Sequence, residues 1–153
     1  MIIGHYYYAS LLTKMKQYSD KRGSDYLRCV EEEKPIPTDS WLDSFIMGNV
    51  YVLGFGFDQS EFDLWWLLNR KQREKAPHGQ VLFYEPSGGN DFNARKELLK
   101  VMGTQIVDLG VQLSNDDAER NRQFREFYEM AIKDICARVG KNGAENSKSY
   151  DAD

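Results

Sequence analysis

Three short runs rich in β-branched and aromatic residues, at 50–53 (VYVL), 80–85 (QVLFYE) and 105–109 (QIVDL), each stand one helix-length from the next, with only a few linking residues. Strand, helix, strand, helix and strand with short connections is the pattern of two consecutive right-handed βαβ units. The expected fold class is therefore α/β, a three-layer parallel sheet of Rossmann-like type, with N-terminal helices and a long C-terminal helix. The run at 50–53 shows no polar alternation, as expected of a strand covered on both faces.

The flanking segments carry helical periodicity. Tyr8, Leu11, Leu12, Met15 and Tyr18 predict a helix over 6–19, and Ser24 or Asp25 opens a second over 24–32 that Pro35 and Pro37 stop. Thr38, Asp39 and Ser40 supply caps for a helical turn carrying Trp41, Leu42, Phe45 and Ile46, which Gly48 and Asn49 close. A helix over 59–75 opens at Asp58, Ser60 and Glu61. Pro86 to Asn90 forms a turn, and a helix over 91–102 turns Ala94, Leu98, Val101 and Met102 inward before Gly103 ends it in the left-handed conformation. Ser114-Asn115-Asp116-Asp117 reads as a capping box ahead of a helix whose inward side is Phe124, Phe127, Tyr128, Ala131, Ile132, Ile135 and Val139. Residues 1–140 are expected to form a single domain and 141–153 a disordered tail, since KNGAENSKSYDAD has little to bury.

Composition narrows the function classes. The 153 residues are 41% hydrophobic and 29% charged, enough for one globular core. A net charge of −4 with both signs dispersed excludes a basic nucleic-acid surface, so no nucleic acid is expected as a partner. Cys29 and Cys136 are far apart and have neither metal-ligand spacing nor a histidine cluster, so both are expected as buried or half-buried free thiols, with no metal. No run approaches the ~18 apolar residues of a membrane span and no basic-then-apolar leader opens the chain. No membrane association and a cytoplasmic location are expected.

The first strand ends in GFGFDQSEFD, residues 54–63. Glycines at the carboxyl end of a parallel strand permit positive φ and let a ligand approach the main chain near a helix N-terminus. The Gly-x-Gly-x-x-Gly fingerprint is incomplete, because Gln59 stands in the third glycine's place, and no Gly-Lys-Ser/Thr loop occurs anywhere. Asp58 and Glu61 suit a ribose or base contact better than a pyrophosphate, and they suit the helix dipole equally as capping charges. Glu85 closes the second strand, where a carboxylate can accept hydrogen bonds from ribose hydroxyls, or can simply be solvated before Pro86. Trp65 and Trp66 read as core, and His78 as a loop residue; neither His78 nor His5 has a companion nucleophile or acid.

The run DSWLDSFIMGNVYVLGFGFDQSEFDLWWLLNRKQR, followed by VLFYEP and GTQIVDLG, resembles the C-terminal half of bacterial sirtuin-like NAD-binding domains, and IIGHYYYASLLTKM resembles the family's segment after its His-Gly motif. The similarity covers about residues 2–112. It implies that Gly54, Gly56 and Phe57 line the adenosine side of an NAD pocket, that Glu85 meets the ribose, and that the turn after Asp108 lies near the adenine. The family's Gly-Ala-Gly turn, Asn-x-Asp element and catalytic histidine are expected before Ile2, and this chain has none of them.

The expectation is thus a partial sirtuin-like domain, of a bacterial or mobile-element defence type, that holds NAD or an adenosine nucleotide and has no catalytic residues of its own. One alternative is an NAD hydrolase in which a partner chain or a homo-oligomer completes the three-stranded sheet. Another is a non-catalytic protein-interaction module docking through the C-terminal helix.

Overall fold

The structure is a computed structural model that describes the backbone of residues 3–57, 61–87 and 93–148, and the side chains of 8–57, 61–87 and 94–141. The elements run α1 (Ile3–Glu31), α2 (Trp41–Met47), β1 (Val50–Leu53), α3 (Phe62–Gln72), β2 (Val81–Tyr84), α4 (Asn93–Val101), β3 (Thr104–Val107) and α5 (Asp117–Lys148). The strands form one parallel sheet in the order β1-β2-β3. This is the α/β arrangement expected, with helices before the sheet and a long helix after it. Asp58, Ser60 and the turn residues Gly88 to Asn90 lie outside what is described, as does the side chain of His5.

Position in the sheet decides burial. The central strand β2 has all four side chains buried, whereas β1 is half-buried along its length. The run at 50–53 is expected to be covered on both faces and is not, because an apolar run without alternation does not tell a central strand from an edge strand. By contacts the chain divides into two compact units, Met1–Val50 with Gly56–Val81 and Leu98–Gln105, and Tyr51–Phe55 with Leu82–Glu97 and Ile106–Asp153.

In the first unit α1 is one helix where the sequence predicts two. Tyr18, Arg22 and Tyr26 recur every four residues and so share one helical face. That face meets one buried carboxylate. Tyr18 Oη donates to Asp43 Oδ2 at 2.8 Å, Tyr26 Oη donates to Oδ1 at 2.6 Å, and Arg22 Nε lies 3.7 Å from Oδ1. An uninterrupted helix through Gly23 is required to aim all three. A mid-helix glycine costs about 1 kcal/mol and does not break the helix, and here a Cβ would lie 3.1 Å from the Arg70 guanidinium.

Asp43 also completes a capping box on α2, accepting from the Ser40 N–H at 2.9 Å while Ser40 Oγ accepts from the Leu42 N–H. The other end of α2 is closed by Lys71 of α3. Its buried ammonium donates to the carbonyls of Phe45, Ile46 and Gly48 at 3.1, 2.8 and 2.7 Å, acceptors that a helix C-terminus leaves without intrahelical donors. Gly48 itself is extended rather than left-handed. Helix α3 is capped from α1, since Tyr8 Oη accepts from the Asp63 N–H at 3.0 Å and donates to Asp63 Oδ1 at 2.8 Å.

In the second unit Leu82 and Tyr84 of β2 pack with Val107, Val111, Phe127 and Ala131, while Tyr51, Leu53, Leu109 and Ile135 surround that cluster. Tyr84 Oη donates to Asp134 at 2.7 Å and fixes the register of α5, whose Arg138 pairs with the same carboxylate oxygen. The apolar stripe of α5 is narrower than expected: Tyr128, Ile132 and Val139 are exposed. Asp116, not Ser114, is its cap, accepting from the Glu119 N–H at 2.9 Å. The helix continues past Gly140 to Lys148, over residues where the sequence predicts disorder, because glycine lowers helix propensity without removing a hydrogen bond. Cys29 is half-buried, but Cys136 is exposed on α5. Helix α4 turns a different face inward from the one expected. Leu98 and Val101 are exposed, the latter to 77%, and Leu99 is buried. Among the described residues no helix is long and apolar enough to cross a membrane.

Two measurements test this account. Burial alone would raise the Asp43 pKa, but hydrogen bonds from Tyr26, Tyr18 and Ser40 and the charge of Arg22 outweigh it and hold it below the usual carboxylate value. Its contribution to stability is therefore complete above about pH 4 and is lost as the pH falls through the folded-state value. Asp43→Asn should lower stability by about 2–4 kcal/mol at neutral pH and flatten that acid limb in urea titrations. For Lys71, burial lowers the ammonium from 10.5 to about 8. Above about pH 8 the unfolded chain holds more protons than the folded one, so stability should rise with pH up to the tyrosine range near 10. Lys71→Met should abolish that rise.

Candidate functional site

Gly54, Glu85 and Asp108, each directly after a strand, belong to the second unit. In open parallel sheets generally, ligands bind outside the carboxyl ends of the strands. After β1, Gly54 has φ +70°, and a Cβ there would sit 3.1 Å from the hydroxyl of Tyr128. The glycine thus serves both a left-handed turn and the close approach of α5. The Tyr128 ring stacks on Phe124 and meets Phe127 edge-on, so its position is set by packing.

After β2, Glu85 is drawn into an ion cluster with α4. Its Oε1 pairs with Arg95 Nη2, and its Oε2 lies 3.5 Å from Lys96 Nζ. The Arg95 guanidinium also passes over the Phe83 ring at 5.9 Å, which explains why α4 turns charged residues inward: the arginine stem covers an aromatic while its head meets a carboxylate. Glu85 Oε2 is buried and accepts no hydrogen bond. Only 15% of the Glu85 side chain is exposed, so it is not the freely solvated residue that its place before Pro86 allowed.

After β3, Asp108 Oδ1 accepts from the Gly110 N–H at 2.8 Å and from Ser87 Oγ at 2.9 Å. Those two bonds, reinforced by the Lys96 charge, hold its pKa below the usual range. Gly110 closes this turn at φ +75°. The main chain of Ser87 bridges Gln112 in parallel fashion, its N–H donating to Val111 O at 2.8 Å and its carbonyl accepting from the Leu113 N–H at 3.1 Å. Next to the bridge, Leu109, Gly110 and Gln112 line a cavity of about 260 Å³ with Arg122, Gln123 and Met130 of α5.

The four residues predicted for a ligand site therefore divide. Gly54 and Glu85 belong to the second unit, at the ends of adjacent strands. Gly56 and Phe57 belong to the first. A Cβ at Gly56 would meet nothing within 4 Å, and Phe57 is 3% exposed, at φ +49°, with its ring packed against Trp65 at 5.5 Å. His78 is in a loop, its Nδ1 2.9 Å from the Ala76 carbonyl. Among the described residues no three metal-ligating side chains converge.

Sequence reasoning missed Arg95, Lys96, Ser87 and Asp108 as members of one cluster. A signal for the first two existed. Cations in the first turn of a helix oppose its dipole, so a basic pair at the start of α4 called for a nearby carboxylate. No protein-family model, no curated protein and no solved structure matches the chain.

Gly54→Ala should cost about 1–3 kcal/mol through its positive φ and the Tyr128 contact. Adding Tyr128→Phe should recover part of that loss, which a double-mutant cycle by thermal unfolding would read as non-additivity.

Proposed function

We propose that this chain is an adenosine-nucleotide-binding α/β module of Rossmann-like, sirtuin-like type, with NAD as its ligand class and no NAD-cleaving machinery of its own. The observation that carries the reading is Glu85. A strand-end carboxylate with one oxygen anchored by Arg95, and the other buried 3.5 Å from the Lys96 ammonium without a hydrogen bond, can still accept from a further donor. A ribose hydroxyl is such a donor. The turn after Asp108 adjoins a cavity edged by Leu109 and Met130, where Gln112, Arg122, Glu119 and Glu126 supply polar groups for a base while Gln123 is held by Ser114 and Glu119.

The strand order β1-β2-β3 does not reverse among the described strands, so the crevice that a switch in strand order creates is not what forms this site. The reading rests on the residues at the strand ends. Nucleotide cleavage needs further groups, a base or nucleophile within hydrogen-bonding reach of the reacting ribose, and among the described residues the cluster holds ion-paired and turn-forming side chains.

Titration calorimetry with NAD and with ADP-ribose tests the proposal. Both should bind, Glu85→Ala should weaken each about tenfold or more, and incubation with NAD should release no nicotinamide. Rapid nicotinamide release, or no heat of binding from either compound, would overturn it.

A further inference from the structure

We infer that this chain pairs with a second copy of itself across a two-fold axis at the free edge of β1, joining the two sheets edge to edge and packing α5 against α5 in antiparallel fashion. No ligand enters this inference. Tyr51 to Phe55 and α5 belong to one compact unit, and the case begins with the main chain of its strand. The Val50 N–H donates to the Gln80 carbonyl at 2.8 Å, so alternate residues of β1 face β2, and the N–H and C=O groups of Tyr51 and Leu53 point the other way. Among the described strands β1 ends the order β1-β2-β3, and its sequence VYVL has neither a charge nor a proline, two of the devices that keep an edge from pairing.

Beside that edge α5 carries an uncovered apolar stripe. Tyr128, Ile132, Ile135 and Val139 recur at intervals of four, three and four residues, the spacing of a helix–helix seam. Tyr128, Ile132 and Val139 are 38, 53 and 54% exposed, and the half-buried Ile135 borders the same core cluster as Tyr51 and Leu53. The stripe thus lies on the β1 side of the helix, where Tyr128 also meets Gly54, while Gln123, Glu126 and Met130 lie beside Leu109 and Gln112 on the β3 side.

A second copy is the occupant that fits, because strand and stripe share one centre. Helix α5 runs antiparallel to β1, with Tyr128 at Gly54 and Arg138 within electrostatic reach of the Tyr51 hydroxyl. The open stretch of the strand centres on Val52, and the stripe centres between Lys133 and Asp134, near the middle of the span that those two contacts mark. A two-fold axis at Val52 sets Tyr51 opposite Leu53 of the copy, each such pair exchanging both its hydrogen bonds, and it sets Ile132 opposite Ile135 and Tyr128 opposite Val139. Because Tyr51 and Leu53 turn their side chains to the α5 face, both α5 helices then lie on the same side of the joined sheet. Charge selects the antiparallel sense. A parallel pairing would set Arg125, on the same seam one turn before Tyr128, against its own copy, whereas the antiparallel one parts the two arginines by about 25 Å. A seam this short suits a dimer of micromolar affinity, which dissociates on dilution.

Sedimentation velocity of the full chain over a concentration series tests the inference, with thermal unfolding of each variant as a check on folding. Wild type should be dimeric at about 0.1 mM and dissociate on dilution. Ile132→Asp should weaken dimerisation at least about tenfold, while Val101→Asp, at an exposed apolar residue of α4 outside the seam, should leave it unaltered. Amide exchange followed by NMR should show Tyr51 and Leu53 exchanging at least about tenfold more slowly in the dimer than in the monomer. Oxidation reads the register in a Cys29→Ser/Cys136→Ser background: a mixture of Tyr128→Cys and Val139→Cys chains should form disulfide-linked dimers, and neither variant alone should. A wild-type chain that stays monomeric throughout the series would overturn the inference, whatever the variants do. So would a folded Ile132→Asp protein that dimerises with full affinity, a dimer whose Tyr51 and Leu53 amides exchange as fast as the monomer's, or cross-linking of either cysteine variant with itself in place of the mixture.

Discussion

The architecture depends on a strand of four residues with no exposed side chain. Val81 to Tyr84 is buried on both faces, so each side chain must meet cover from elsewhere in the chain. Leu82 and Tyr84 find theirs under Phe127 and Ala131 of α5, and Phe83 under the guanidinium of Arg95. Val81 shares a small cavity with Leu68 and Met102. Both βα crossovers and the terminal helix follow from that requirement, and the carboxyl ends of the strands are fixed as a by-product.

Buried charge plays three distinct parts. Asp43 is stabilised by donors alone, two tyrosines, an arginine and a main-chain N–H, and it draws α1 and α2 together. Lys71 has no carboxylate partner among the described residues; its ammonium ends a short helix by giving three carbonyls the donor they lack. Both are satisfied within their own surroundings, as buried polar groups generally must be. Glu85 differs, because one of its oxygens is buried without a hydrogen bond while two cations stand beside it. Glu74 Oε2, paired with Arg70, shares that lack of a hydrogen bond, so what separates Glu85 is the combination of an incompletely satisfied oxygen with a place at a strand end.

Much of the local structure was legible in the sequence for reasons of chain geometry. The three strands occupy the three apolar runs to within two residues at each end, and Gly103 is left-handed at the end of α4, as its place after a helical stripe requires. What misled was counting apolar residues as though burial followed from hydrophobicity alone. Leu98 and Val101 lie on the exposed side of α4 because Arg95 and Lys96 have a carboxylate to reach and an aromatic ring to cover. The break expected near residue 23 failed for a related reason: a local preference for a cap at Ser24 is worth less than aiming Tyr18, Arg22 and Tyr26 at one acceptor.

From sequence alone followed the order and type of the elements, the glycine-bearing turn after the first strand and the acid after the second, because periodicity and turn chemistry act over a few residues. Tertiary structure alone decided which strand is central, which face of α4 turns inward, and that Gly56 and Phe57 belong to a different unit from Gly54 and Glu85. It also decided what Glu85 is. The nine residues between it and Arg95 give no distance, and only the packing of a helix against the end of a strand brings a carboxylate, an arginine and a lysine within reach of one another.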